Sequence, residues 1–318
     1  MYDPIVKWSG SKRSQAEEIV ARLPREIATY YEPFCGGCSV LYRILNTPSV
    51  KVERYVASDI NIDLIRLWNS IRDYPEELCA GYKDLWSGFN RHGLCEDDYE
   101  RRKEFFYTIR ERYNRLHNPL DFLFLMRTTT NGMPRYNELG EFNNSCHFSR
   151  PGINPDKLLE ICMGWSRVLK EKNVEFRAMS YEVLKPVSGD FVYADPPYFG
   201  TRGMYYGRID FDTYFKWLTG LRCKWMMSFD GKAGNEDFTY DVPIGLYLRH
   251  EYLNSGNSSF RRVIGKDRYA QVHESLYMNY IPDCKKSASL KQAELFKCLL
   301  SHLACYRTKK QLEEKSCH

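Results

Sequence analysis

The sequence predicts an α/β protein in which helices pack on a parallel sheet. Strand-like segments at residues 29–32 and 54–58 are each followed by apolar residues at helical spacing. Two strand–helix units in succession are typical of a parallel sheet, since parallel neighbours need a crossover connection. The alternation resumes after residue 150, so the same sheet is expected to continue there.

The amino-terminal part of the chain contains three predicted helices. The first covers residues 14–24 and begins with a Ser-x-x-Glu capping box. A glycine-bearing turn at residues 33–39 leads into the second helix, which ends near Leu45, and Asp59 ends the next strand. The third helix carries apolar residues at helical spacing, namely Leu64, Ile65, Leu67, Trp68 and Ile71.

Residues 72–150 are predicted to form an inserted module. They contain charged helices rich in Tyr and Phe and end in a polar, irregular stretch at residues 128–150. Residues 1–71 and 151–283 then form the core, and the tail at 284–318 has one predicted helix, at 289–305, with no assigned role. The second part of the core contains a predicted helix at residues 155–170 and strands at residues 174–178, 190–194, 224–229 and 273–281.

Bulk composition restricts the class of protein. No run approaches the roughly 18 apolar residues of a membrane span, and residues 1–4 lack a secretory pattern, so a cytoplasmic protein is expected. Eleven cysteines without an export signal indicate reduced thiols, and the pair Cys35 and Cys38 has no second pair at zinc-site spacing. The net charge is only +5, but Lys and Arg cluster locally, as in polyanion-binding proteins and on ordinary solvated helices.

An acidic residue follows the predicted strand at residues 190–194. Asp195 lies at the carboxyl end of this strand, where open α/β sheets bind ligands, and Pro196, Pro197 and Tyr198 follow it. Prolines lack an N–H group, so this turn is stiff and offers carbonyl acceptors. The Asp195 carboxylate and the Pro196 carbonyl can accept both hydrogens of an exocyclic amine, and Tyr198 offers a ring to a base. A simple β-turn is the alternative interpretation.

Three further segments predict a nucleotide-like ligand. Gly36 and Gly37 let a ligand approach the backbone closely, although the six-residue dinucleotide fingerprint is absent. Asp59 stands about 20 residues further on, where nucleotide-binding folds place a ribose-binding acid. Capping of the following helix is the alternative role of this residue. Residues 7–12 put Trp8 and two lysines around a flexible turn, which suits an adenosine and a carboxylate but also an ordinary surface loop.

In this order, the segments resemble the Dam-type, or D12-class, DNA adenine-N6 methyltransferases. The motifs that carry the resemblance are Lys-Trp-x-Gly-x-Lys at 7–12, Glu-Pro-Phe-x-Gly-x-x-Ser-Val at 32–40, Ala-Ser-Asp-Ile-Asn at 57–61, several short segments within 131–143, and the catalytic segment at 192–198. The resemblance implies a Rossmann-like methyltransferase core with an inserted helical target-recognition module. It also implies S-adenosylmethionine as methyl donor and double-stranded DNA as partner, with a cognate restriction endonuclease as a further candidate. No metal is expected, since methyl transfer from a sulfonium is a direct displacement. No membrane partner is expected either, since the sequence lacks a long apolar run.

The resemblance also implies roles for individual residues. Cofactor contacts are implied for Trp8, Lys12, Phe34, Gly36, Asp59 and Asp195. Catalysis is implied for Asp195, Pro196 and Tyr198, and DNA recognition for Asn131, Arg135 and Asn137. Arg135 aligns with a base-contacting family arginine, which would make a bidentate contact to guanine. The target adenine would leave the duplex to reach the cofactor.

Three segments depart from the family pattern. Residues 128–130 are threonines where relatives often have a bulky aromatic, residues 145–147 replace a Pro-Phe-Gly-like ending, and residues 179–181 lack a usual acidic residue. The recognised DNA sequence therefore stays open. Two rival hypotheses also stay open: an amine or amide methyltransferase acting on RNA or protein, and a DNA-binding relative without catalytic activity.

Overall fold

One mixed sheet runs through the described part of the chain. The computed structural model describes residues 4–6, 8, 10–91, 99–130, 134–147, 149–197, 209–257 and 271–282. The strands in these ranges are β1 (Glu26–Pro33), β2 (Lys51–Asp59), β3 (Glu175–Ala178), β4 (Phe191–Ala194), β5 (Lys224–Ala233), β6 (Glu236–Asp237), β7 (Arg249–Asn257) and β8 (Gln271–Met278). Their order across the sheet is β3-β2-β1-β4-β5-β8-β7, and β6 pairs with β5.

Strands β3, β2, β1, β4 and β5 run parallel to one another, whereas β8 is antiparallel to both β5 and β7, and β6 is antiparallel to β5. This arrangement confirms the predicted α/β core, which is Rossmann-like. Strand β4 lies in its centre, and Phe191, Val192, Tyr193 and Ala194 are all buried. A strand buried on both faces needs a continuous apolar run, which is what precedes Asp195.

Helices cover the sheet and extend beyond it. The described helices are α1 (Ala16–Val20), α2 (Ser39–Leu45), α3 (Ile62–Asp73), α4 (Pro75–Phe89), α5 (Tyr99–Leu116), α6 (Pro119–Thr128), α7 (Pro155–Glu171) and α8 (Phe211–Gly220). Helices α4 to α6 belong to the predicted inserted module. They pack on α3 and α7 and share a continuous hydrophobic core with the sheet.

The described part of the predicted irregular stretch after α6 contains two short antiparallel pairings. Thr129 pairs with Cys146, and Tyr136 pairs with Phe142. We call residues 134–147 of this stretch the 134–147 hairpin. Asn114 on α5 attaches it to the helices, because its carboxamide accepts from the Phe142 N–H at 2.8 Å and donates to the Phe142 carbonyl at 3.1 Å.

The predicted capping box at the first helix is wrong. Helix α1 begins at Ala16 with Gln15 as its N-cap and has no side-chain capping bond. The hydroxyl of Ser14 instead donates to the Ser255 carbonyl at 3.3 Å. A tertiary partner on β7 thus replaces the local one, and the helix ends at Val20, before the predicted Pro24.

Helix α8 and strands β6 and β7 were not predicted. Helix α8 carries Phe211, Tyr214, Phe215 and Leu218 on its buried face at helical spacing, and Asp210 caps it. That pattern is present in the sequence and could have been found. Strand β7 lies at the edge of the sheet and lacks a comparable apolar pattern.

These elements belong to the first of two compact units, Met1–Ile281, and the second is Pro282–His318. The tail helix predicted at residues 289–305 lies outside the described residues. Within the described ranges, every helix is too short or too polar to cross a membrane.

Candidate active site

The carboxyl ends of β1, β2 and β4 lie at the same edge of the sheet. Strand β1 has β2 on one side and β4 on the other, so the direction of strand order reverses between β1 and β4. Open α/β sheets bind ligands in the crevice at such a reversal. Phe34 follows β1, Asp59 ends β2 and Asp195 follows β4, so three predicted site residues lie at this edge.

Lys12 lies between two carboxylates. Its Nζ is 2.9 Å from Oδ1 of Asp195 and 3.2 Å from Oε2 of Glu274, and it donates to the Gly10 carbonyl at 2.9 Å. The Lys12 side chain is only 3% exposed, so the surface-loop interpretation of this lysine is wrong. Burial alone would lower the pKa of Lys12, but the charges and hydrogen bonds of Asp195 and Glu274 raise it above its usual value. The lysine therefore stays charged and fixes the position of the Asp195 carboxylate.

The turn after β1 is shaped by contact with Trp8. A Cβ atom at Gly36 would lie 2.7 Å from Cδ1 of Trp8, and the Gly36 backbone has a φ of 46°, so glycine suits this position on both grounds. The Gly36 carbonyl accepts a hydrogen bond from Nε1 of Trp68 at 2.9 Å. A 2.7 Å hydrogen bond between the hydroxyls of Ser11 and Ser39 joins the amino-terminal loop to the same turn. The structure thus brings Trp8 and Gly36 into contact.

Asp59 connects the ends of β1 and β2. Its Oδ2 accepts from the Gly36 N–H at 3.2 Å, and its Oδ1 accepts from the Asn61 N–H at 3.0 Å. Burial raises the pKa of Asp59, while these backbone donors oppose the shift. Asn61, not Asp59, caps α3, because its Oδ1 accepts from the N–H groups of Asp63 and Leu64. The capping interpretation of Asp59 is therefore wrong.

The two cysteines of the glycine turn are buried thiols without a disulfide. Burial raises the pKa of both Cys35 and Cys38. Over the ranges that the structure describes, no group of three or more His, Cys, Asp and Glu residues could hold a metal ion.

Glu32 is a buried acid. It is the first residue of the motif at 32–40, but the sequence did not indicate a role for its side chain. It is 3% exposed, and its Oε2 accepts a 2.6 Å hydrogen bond from the Tyr30 hydroxyl. Burial raises the pKa of Glu32 to about 8, and the negative charge of Asp195 acts in the same direction, whereas the bond from Tyr30 opposes it. Glu32 is therefore mostly protonated at neutral pH.

An aromatic cluster lies against Phe34. The Phe34 ring centroid is 5.3 Å from that of Tyr181 and 6.0 Å from that of Tyr214. Burial and the charge of Asp195 raise the pKa of Tyr214, whose hydroxyl has no hydrogen-bond partner among the described residues. Pro196 is buried next to Asp195, whereas Tyr198 and Asn131 lie outside the described residues.

The predicted DNA-contacting residues Arg135 and Asn137 lie in the 134–147 hairpin. The carboxamide of Asn137 closes the turn, since its Oδ1 accepts from the N–H groups of Leu139 and Glu141 and its Nδ2 donates to Glu141. The Arg135 side chain is exposed and borders a cavity of about 280 Å³. The cavity is lined by Thr130, Arg135, Asn143, Asn144 and Ser145.

Glu274 is the site residue that sequence analysis missed. It lies on β8, which joins the sheet by antiparallel pairing with β5, and only that pairing brings it to Lys12. A single acidic residue in an alternating strand gives no local indication of such a partner.

Comparison with protein families identifies the chain. Residues 8–218, more than half of the chain, match the family of D12 class N6 adenine-specific DNA methyltransferases. The chain belongs to this family. Its D12 membership confirms the prediction of an adenine-specific DNA methyltransferase, and the family acts on DNA.

Curated relatives of this D12 chain have corresponding names. The type II methyltransferase M.MjaIII of Methanocaldococcus jannaschii is 32% identical over 210 residues, which cover 61% of this chain and 68% of the relative. The DNA adenine methylase of Vibrio cholerae is 32% identical over 199 residues, which cover 61% of this chain and 64% of the relative. The match therefore spans less than two thirds of the second relative.

Solved structures similar to the D12 chain include the rRNA methyltransferase aviRa from Streptomyces viridochromogenes. The TM-score is 0.37 at 13% identity, covering 87% of this chain and 90% of that protein.

Proposed function

We propose that this D12 chain transfers a methyl group from S-adenosylmethionine to N6 of an adenine flipped out of double-stranded DNA. The observation that carries the proposal is the Asp195 carboxylate, which lies at the crevice beside β1 and is fixed by Lys12 at 2.9 Å. A flipped base presents its exocyclic amine to such a carboxylate, and Pro196 adds a carbonyl acceptor next to it.

The residues at the sheet edge fit S-adenosylmethionine. Lys12 carries one positive charge against the two carboxylates of Asp195 and Glu274, so the cluster keeps a net negative charge that favours a sulfonium. In this proposal Asp59 accepts from the ribose hydroxyls and Phe34 packs on the adenine. When bound, S-adenosylmethionine supplies an electrophilic methyl group.

Lys12, Trp8 and Gly36 complete the proposed cofactor set. The turn at Gly36 packs directly on Trp8, so the indole and the backbone turn form one surface. Lys12 acts through Asp195, since its ammonium is enclosed by the two carboxylates and by the Gly10 carbonyl.

Asp195 and Pro196 orient the accepting amine. Their oxygens accept the two N6 hydrogens, which directs the nitrogen lone pair away from the turn and towards the methyl donor. Tyr198 is proposed to stack on the flipped base, a contact worth about 1–3 kcal/mol. That stacking offsets part of the few kcal/mol that flipping costs.

DNA recognition is proposed for the module formed by residues 72–150. The exposed Arg135 is suited to a bidentate contact with guanine. Asn131 and Asn137 are the other proposed contacts, and Asn137 also keeps the turn of the hairpin closed. We further propose a cytoplasmic location, and a cognate restriction endonuclease as partner, from the type II names of relatives.

The deciding experiment is a methylation assay with base identification. Purified protein is incubated with S-adenosylmethionine and unmethylated plasmid, and the digested nucleosides are analysed by mass spectrometry. N6-methyladenine is expected from the wild type. It is also expected from the control variant Asp241→Ala, which removes an exposed acid that is not among the proposed site residues. Asp195→Ala should retain DNA binding and lose nearly all transfer.

The opposite results would overturn the proposal. An Asp195→Ala variant that methylates like the wild type removes the assignment of the catalytic acid. A wild type that methylates RNA or protein in parallel assays but not DNA removes the proposed substrate.

A further inference from the structure

A chain of hydrogen bonds leads from the proposed ribose-binding acid to the 134–147 hairpin. The Asn61 N–H donates to Oδ1 of Asp59 at 3.0 Å, and Nδ2 of Asn61 donates to the Tyr136 hydroxyl at 3.3 Å. The remaining side-chain atom, Oδ1, caps α3 through Asp63 and Leu64. The backbone N–H of Asn61 is therefore bound to Asp59 and its Oδ1 to the start of α3. Its Nδ2 group is the donor that reaches the hairpin.

Tyr136 is in turn placed to control Arg135. The Tyr136 ring packs edge-on against Phe142 at a centroid distance of 6.1 Å. The Arg135 N–H donates to Oδ1 of Asn144 at 2.6 Å, and its carbonyl accepts from the Asn143 N–H at 3.0 Å. Adjacent residues of an extended segment point in opposite directions, so a Tyr136 ring held inward keeps the Arg135 side chain outward.

Other supports of the hairpin do not pass through Asp59. Asn114 holds Phe142 from α5. Asp63 accepts from the Tyr113 hydroxyl at 2.6 Å and lies 2.8 Å from Nδ1 of His117, which ties α5 to α3. Tyr113 also hydrogen-bonds to the Tyr136 side chain, so this second network reaches the hairpin as well. The Asn61–Tyr136 bond is the described hydrogen bond that joins the hairpin to the residue whose N–H donates to Asp59.

We infer that Tyr136 is a positioning residue that couples occupancy of the cofactor site to the orientation of Arg135. The inference rests on the proposed function, in which Asp59 binds the cofactor and Arg135 contacts a base. A ligand on Asp59 restrains the turn from Asp59 to Asn61, and the bond to Tyr136 passes that restraint to the hairpin. DNA affinity then rises with the cofactor bound, and by linkage cofactor affinity rises equally with DNA bound.

The test measures the ratio of DNA dissociation constants without and with sinefungin, an unreactive analogue of S-adenosylmethionine. The DNA is a duplex that the wild type methylates. Tyr136→Phe removes the hydroxyl and keeps the ring, and loss of its bond to Asn61 should reduce this ratio by about 2- to 10-fold. The change also removes the contact with Tyr113, which Asn61→Ser leaves in place. A purely structural role would weaken both affinities alike and leave the ratio unchanged.

Matched variants isolate the bond. Tyr252→Phe removes a hydroxyl from β7, where it lies 3.1 Å from the Thr239 hydroxyl and outside the proposed recognition module, and should keep the wild-type ratio. Asn61→Ser keeps a good N-cap and the backbone bond to Asp59 but is too short to reach Tyr136 while capping, so it should reproduce the loss. The double variant of Tyr136→Phe and Asn61→Ser should lose no more coupling than either single change.

Two results separate the possible failures. A wild type that methylates DNA while Tyr136→Phe and Asn61→Ser both keep its ratio, or that shows a ratio of one, overturns the coupling and leaves the proposed function intact. A wild type that neither binds nor methylates DNA overturns both.

Discussion

The ammonium of Lys12 lies 2.9 Å from the Asp195 carboxylate and 3.2 Å from that of Glu274. The lysine comes from the amino-terminal loop, Asp195 follows the central strand β4, and Glu274 lies on β8. A buried ammonium between two carboxylates gives Asp195 a fixed position while the cluster stays negative. The ion pairs of Lys12 therefore stabilise this edge of the sheet and also position the proposed catalytic carboxylate.

Lys12→Met should lower the free energy of unfolding by up to about 3–5 kcal/mol, because it leaves two partly buried carboxylates without their common partner. Urea denaturation at pH 7.5 measures the stability, and the plasmid assay measures transfer, which should be largely lost.

The control for Lys12→Met is the double variant with Glu274→Gln. Removing the second charge relieves the repulsion, so part of the lost stability should return. Equal stability of Lys12→Met and wild type would show that the ion pair contributes nothing.

Glu32→Gln should change the dependence of stability on pH. The pKa of Glu32 is about 8 in the folded protein against 4.5 for the free side chain, so the native state keeps a proton that the unfolded chain releases. Stability of the wild type relative to the variant is therefore greatest below about pH 4.5, falls as pH rises towards 8, and is constant above it. The change should be on the order of a few kcal/mol.

Urea denaturation at pH 5 and at pH 8.5 measures this difference. Glu26→Gln is the matched control, since Glu26 lies on the same strand with its side chain 79% exposed, and its difference from wild type should not vary with pH. A difference for Glu32→Gln that is also constant would refute the shifted pKa.

Gly231→Ala should destabilise the protein by at least about 2 kcal/mol. An added Cβ would lie 2.0 Å from the His273 carbonyl oxygen and 2.9 Å from Cα of Glu274, so β5 and β8 must separate. The displacement reaches Glu274, so methylation should be reduced even at temperatures well below the melting temperature of the variant. Gly220→Ala is the control, because nothing lies within 4 Å of its added Cβ, and its stability should be unchanged or raised by up to about 1 kcal/mol. Equal thermal unfolding of the two variants contradicts the expectation.

Arg135→Ala should weaken binding to an unmethylated duplex that the wild type methylates by about 1–3 kcal/mol if the side chain contacts a base. Binding of an unrelated duplex should change much less. Arg177→Ala removes the same charge from an exposed ion pair with Glu175 and calibrates the general electrostatic effect. Equal losses on both duplexes would identify Arg135 as a backbone contact instead.

Much of the fold could be predicted because its causes are local. Residues close together in the sequence produce the apolar run of β4 and the helical spacing on α3 and α7. The same holds for the acids that follow the strands. They place Asp59 and Asp195 at the carboxyl ends of parallel strands, and those ends share an edge. The order of motifs added the family, which the match over residues 8–218 confirms.

Tertiary structure decided which partners these residues have. Ser14 bonds to Ser255 instead of capping a helix, Asn61 caps α3 in place of Asp59, and Glu274 reaches Lys12 through the pairing of β8 with β5. Spacing in the sequence reports the period of an element, but it does not report which distant strand lies beside it. The α/β order and the acids at the strand ends follow from local sequence, whereas the charges and hydrogen bonds around those acids depend on which distant strands pack beside them.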